Sequence, residues 1–156
     1  MLVSMLVGSL RTIAEDITTP ARILRTLHER LIGRTNGGFS TALVAHISHK
    51  GQVTLANAGH LPPYLNGKEI EFPGALPLGI ANHGDYSTTT LTLDPGSRLT
   101  LYTDGVVEAR NQSGELFGFD RTQAISTETA AKIVEAAVHF GQSDDITVVT
   151  IERIAS

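Results

Sequence analysis

The 156-residue chain contains no cysteine and no tryptophan. The first absence excludes disulfides, thiolate zinc sites and cysteine nucleophiles, and it suits a reducing compartment such as the cytoplasm. The second, with aromatics at only 5%, leaves the core to aliphatic side chains. Long apolar runs are also missing. The most apolar stretch, MLVSMLVGSL from Met1 to Leu10, is well short of the roughly 20 residues that a spanning helix needs. No basic n-region of a signal peptide precedes it, because the first charge is Arg11. Clusters of lysine and arginine are absent too. Twelve basic residues against 16 acidic ones give a formal net charge of −4, a poor match for nucleic acid or an anionic membrane.

What is present reads as one domain over residues 1–156. Hydrophobic residues at 41% and charged residues at 18% are ordinary globular composition and argue against disorder. Leu2, Val3, Leu6, Val7, Leu10, Ile13, Ala14 and Ile17 recur at helical spacing. Thr19-Pro20 then reads as a cap and first position of a second helix through Ile23, Leu24, Leu27 and Leu31, with Gly33 as its stop. The period next changes to two. Phe39 to Ile47 alternates, with Phe39, Thr41, Leu43, Ala45 and Ile47 on one face, and Val53 to Asn57 returns as a second strand. Asn66-Gly67 marks a hairpin between Tyr64-Leu65 and Lys68 to Phe72. Further strands are expected at Tyr86 to Leu93 and Arg98 to Thr103, joined through Asp94-Pro95-Gly96. Thr127 is the expected cap of a last helix carrying Ala130, Ile133, Val134, Ala137 and Val138. Asp144 to Arg153, apolar or β-branched on both faces, reads as a covered central strand. Hairpin-linked strands with segregated helices indicate an α+β fold with antiparallel sheet.

Two acidic positions stand out. Asp104 sits where the apolar strand Leu99 to Thr103 meets Gly105, and Asp144 and Asp145 sit where the last strand begins. A carboxylate at a strand end is held rigidly, and a following glycine permits close backbone approach. Carboxylates converging at a sheet edge suit hard divalent cations, which take oxygen ligands. An Asp-Gly pair is equally a common turn, and an acid pair before a strand a common edge device. The six histidines show no ligand spacing. His46 and His49 flank a hairpin turn and read as solvated, whereas His60 closes an unusual Asn57-Ala58-Gly59-His60 segment and reads as shaping backbone. Ser40 and Ser143 lack a nucleophile-elbow context.

Several stretches in order resemble one family. They are Phe39-Ser40-Thr41-Ala42, Asn57-Ala58-Gly59-His60 with Pro62-Pro63, and Leu76-Pro77-Leu78-Gly79. Leu99 to Ala109 (LTLYTDGVVEA), Phe117-Gly118 and Ser143 to Val149 (SDDITVV) follow. The chain resembles the bacterial serine phosphatases of the sporulation stage II and stress-response (RsbU-like) type, a branch of the metal-dependent protein phosphatase 2C superfamily. The resemblance implies an antiparallel β-sandwich flanked by helices, with a binuclear Mn²⁺ or Mg²⁺ centre at one edge. It implies hydrolysis of phosphoserine or phosphothreonine on a protein, a metal-bridged hydroxide attacking phosphorus in line. Within it, Asp104 and Asp144 match metal ligands, Asp145 is the neighbour of the second, and no catalytic role falls on the histidine of the NAGH segment. The implied partner is a phosphorylated protein such as an anti-sigma factor antagonist.

The family's domain opens with strands bearing Gly-Asp and Gly-Asp-x-x-Gly segments, which carry further metal-binding aspartates. MLVSMLVGSLRT resembles the helix that follows them, so the domain is expected to be N-terminally incomplete here. From this follow three expectations: little or no activity for the polypeptide alone, small stability effects of neutralising Asp104 or Asp144, and self-association into a homo-oligomer. A non-catalytic binding or regulatory module that retains part of the fold is the competing expectation.

Overall fold

Residues 19–34, 37–80 and 84–154 are described by the structure, a computed structural model. The apolar pattern from Leu2 to Ile17 lies outside them. Helix α1 (Pro20–Leu31) starts as its sequence requires: Thr19 is extended at φ −94° and ψ 121°, and Pro20 takes the first position, where a missing N–H costs nothing. Its buried face is Leu24, Leu27, His28 and Leu31, and burial of each such leucine stabilises by about 1.5–3 kcal/mol.

Seven strands are found among the described residues: β1 (Ala42–Ile47), β2 (Gln52–Ala58), β3 (Tyr64–Leu65), β4 (Lys68–Glu69), β5 (Thr89–Thr92), β6 (Arg98–Tyr102) and β7 (Val148–Glu152). Three further helices are α2 (Asp104–Val107), α3 (Gly118–Ile125) and α4 (Ala130–Gly141). The strands form two antiparallel sheets, ordered β1-β2-β5 and β4-β3-β6-β7. The chain divides into two compact units that share this split: residues 1–60 with 72–92, and residues 61–71 with 93–156.

In the first unit, α1 packs its leucines on Ala56, Ala58, Leu78 and Tyr86, with Ala42 and Val44 against the same cluster. The even-numbered face of β1 is therefore the one that meets α1. Phe39, placed by alternation on the other face, is 57% exposed, whereas Leu55 and Val53, the partners of Ala45 and Ile47 on that face, are fully buried. β1 pairs with β2 from Ala42↔Ala58 to Ile47↔Val53, and β5 pairs along β2 from Gln52↔Thr92 to Leu55↔Thr89.

In the second unit, β6 is flanked by β3 and β7. Tyr64 and Tyr102 stack with ring centroids 5.5 Å apart in a cluster with Val106, Phe117, Ile133 and Ala137. The core is thus not purely aliphatic: all three tyrosines are buried. The β7 expectation also needs correcting. It lies at the edge of its sheet among the described residues, and Val149 is 47% exposed, so its two-sided apolar pattern does not mark a covered centre. The cap of α4 is Thr129, whose hydroxyl accepts from the Lys132 N–H at 3.4 Å, and not Thr127.

Candidate functional site

β6 ends at Tyr102, and the chain turns directly into the single turn of α2. Gly105, Val106 and Val107 are buried, whereas Asp104 at its start is exposed. Two valines locked in the core thus fix a carboxylate at the surface. The Asp104 Oδ1 accepts from the Gly105 N–H at 3.0 Å, and its carbonyl accepts from the Glu108 N–H at 2.9 Å. The second acidic position follows the end of α4. Asp144 Oδ1 accepts from the Asp145 N–H at 2.7 Å, and Gln142 Nε2 donates to the Asp144 carbonyl at 3.0 Å. Gln142, Ser143, Asp144 and Asp145 line an open recess of about 350 Å³.

The two positions meet through backbone. A Cβ added at Gly105 would collide with the Asp145 carbonyl oxygen and lie 2.9 Å from its carbon, so only glycine lets the two segments seat this closely. Beside it, the Thr103 N–H donates to the Thr147 carbonyl at 3.0 Å, and the Thr147 N–H donates to Thr103 Oγ1 at 3.0 Å. The structure therefore brings the Asp104 turn against the Asp144-Asp145 segment, although β7 begins only at Val148 and not at Asp144 as expected, and places Asp144 and Asp145, but not Asp104, on the recess. The chemistry of these donors, carboxylate oxygen, is that of a hard-cation site. Their number is not that of a two-ion centre: among the described residues no group of three or more His, Cys, Asp or Glu could hold a metal ion.

The remaining candidates fall elsewhere. Asn57 bridges the NAGH turn with its side-chain amide, accepting from the His60 N–H at 2.7 Å and donating to the His60 carbonyl at 2.8 Å. That is the backbone-shaping arrangement expected of the segment. His46 and His49 are exposed. His28, which sequence spacing left unremarked, is 1% exposed and holds Nδ1 2.9 Å from the Tyr86 hydroxyl and 3.3 Å from the Gly79 N–H that donates to it. Its only signal in sequence is its place on the leucine face of α1. Thr103 was missed as a site element; the signal available was its place immediately before Asp104.

A family model described as Stage II sporulation protein E (SpoIIE) matches residues 1–154. The phosphoserine phosphatase RsbU of Bacillus subtilis is 26% identical over 168 residues, a match that spans 96% of this chain and 50% of that protein. Among solved structures, the RsbU and RsbW domains of a Mycobacterium tuberculosis protein superpose with a TM-score of 0.80 at 24% identity, over 99% of this chain and 47% of that one. The phosphatase domain of SpoIIE from Bacillus subtilis, presoaked with Mn, gives 0.62 at 20% identity, over 96% and 72%. The mixed fold with antiparallel sheets is thus that of phosphatase 2C-like domains. The chain spans half the length of the RsbU relative.

Proposed function

Because the chain belongs to the Stage II sporulation protein E family, we propose that it forms part of a metal-dependent protein serine/threonine phosphatase and supplies one side of its centre. In this reading Asp104 and Asp144 are ligands of Mn²⁺ or Mg²⁺, and Asp145 is the neighbour that helps shape the recess. The substrate is a phosphoserine or phosphothreonine on a protein of bacterial signalling. By family analogy, the specific candidate is a phosphorylated anti-sigma factor antagonist, met in the cytoplasm.

The observation that carries the reading is the seat of Gly105 on the Asp145 carbonyl. It sets the acid that opens α2 against the acid-bearing segment that leads into β7. A phosphoryl-transfer site needs such fixed charge, since positioning and electrostatic stabilisation supply nearly all of the catalysis. The ligand count sets the limit of this side alone. A two-ion centre requires further carboxylates beyond those gathered among the described residues. The same count favours the second reading, a non-catalytic module that keeps the fold.

Two measurements separate them. Titration with Mn²⁺, followed by the loss of the free-ion paramagnetic signal, should reveal a weak site that Asp104→Asn and Asp144→Asn each weaken; identical curves for all three proteins would defeat the ligand assignment. Hydrolysis of a phosphoserine peptide by the 156-residue chain with Mn²⁺ should be at trace level. Robust turnover lost in Asp104→Asn would establish the phosphatase and reject the shortage of ligands.

A further inference from the structure

β6 and β7 do not separate where their ladder ends. The last ladder pair is Tyr102↔Val148. In an antiparallel ladder the next exchange would use both N–H and both C=O groups of Thr103 and Thr147. Half of it is present, because the Thr103 N–H donates to the Thr147 carbonyl at 3.0 Å. The other half is absent from the backbone: the Thr103 carbonyl turns instead to the Val106 N–H, which donates to it at 3.1 Å in the bond that opens α2. The Thr103 hydroxyl fills the vacancy and accepts from the Thr147 N–H at 3.0 Å. Its own hydrogen faces the carbonyl oxygens of Asp145 and Thr147, each 3.5 Å away.

We propose that Thr103 is a positioning residue, whose hydroxyl stands in for a strand carbonyl and carries the β6–β7 register past the strand ends into the acidic segment. The pairing then continues outward. Gly105 seats on Asp145, Ser143 Oγ donates to the Glu108 carbonyl at 3.4 Å, and the Arg110 N–H donates to the Gly141 carbonyl at 2.6 Å. A Cβ at Gly141 would lie 2.8 Å from the Arg110 carbonyl carbon, so that end is closed as tightly as the Gly105 end. A helix can therefore begin at Asp104 while the chain opposite stays in register, and both acids keep a fixed separation. The inference rests on the reading above only in treating Asp104 and Asp144 as the functional pair.

Amide exchange, followed residue by residue without metal or substrate, tests it; failure of the phosphatase reading would leave the result standing. Thr103→Val keeps the shape and removes the hydroxyl. It should speed exchange of the Thr147 amide about tenfold, the equivalent of one hydrogen bond of about 1.4 kcal/mol, and shift the Asp144 and Asp145 amide resonances. The Leu101 and Val149 amides should keep their rates. Thr103→Ser should restore Thr147 and both resonances. Unchanged exchange in Thr103→Val, a serine variant that behaves like valine, or acceleration spread along the whole β6–β7 ladder would overturn the assignment. Should Thr103→Val not fold, Thr103→Ala is read in the same way, and Thr103→Ser must still keep Thr147 slow.

Discussion

A single methyl group at position 105 has nowhere to go. Gly105→Ala should cost about 1–3 kcal/mol, the range for overpacking a close contact, whereas Gly74→Ala, with nothing within 4 Å, should stay within about 0.5 kcal/mol. Urea denaturation of both variants checks this, and equal midpoints would show that the segment at Asp145 yields freely. Asp104→Asn and Asp144→Asn should also stay within about 0.5 kcal/mol without metal. Both side chains are exposed, and asparagine Oδ1 can still accept from the backbone N–H that each now holds. A fall of many degrees in melting temperature would mean a structural partner instead. At this scale the sequence was readable where chemistry and position coincide: Asp104 before Gly105 marks both a charge and a close approach. Thr103 was not readable, because its part depends on where the Val106 N–H finds its acceptor, which only the folded turn decides.

Elements with a local code were legible, and those set by tertiary packing were not. Thr19-Pro20 and the leucine spacing specify α1, and Asn66-Gly67 specifies the β3–β4 turn, with φ of 51° and 81° as a type I′ turn demands. α3 has an αR residue, Phe117, where a cap belongs and no side-chain cap, so nothing local announces it. The alternation of β1 left open which face meets α1, which the packing of Ala42 and Val44 against the leucines decides. The tyrosine stack between β3 and β6 has a testable pH signature. Burial raises the Tyr64, Tyr86 and Tyr102 hydroxyls above the ordinary tyrosine value. The unfolded chain ionises near 10, so above that pH it binds fewer protons than the folded one, and stability falls as pH rises. It is fully present below the unfolded value. Tyrosinate absorbance should therefore appear only together with loss of helical circular dichroism in alkaline titration. Normal titration near 10 in the folded protein would contradict this.

For the whole molecule, the sheet edges matter most. β7 borders its sheet among the described residues, Val149 is 47% exposed and Ile154 84% exposed, and an open edge templates pairing with another chain. We expect a two-fold dimer, the commonest closed assembly, detectable by light scattering coupled to size exclusion at micromolar concentration; a monodisperse monomer would refute it. The division of the chain has a different consequence. Residues 61–71 belong to the second unit, yet they leave the ribosome before residues 72–92 complete the first. The hairpin of β3 and β4 must then wait for β6, whose last residue is Tyr102. At typical elongation rates that interval is about 2–7 s, against microseconds for a hairpin to form and dissolve. Two isolated strands of two residues each are marginal in water. During synthesis the Asn66-Gly67 turn is therefore made and lost many times before a third strand arrives to keep it, and the second unit assembles late, from pieces born before and after the closing segment of the first.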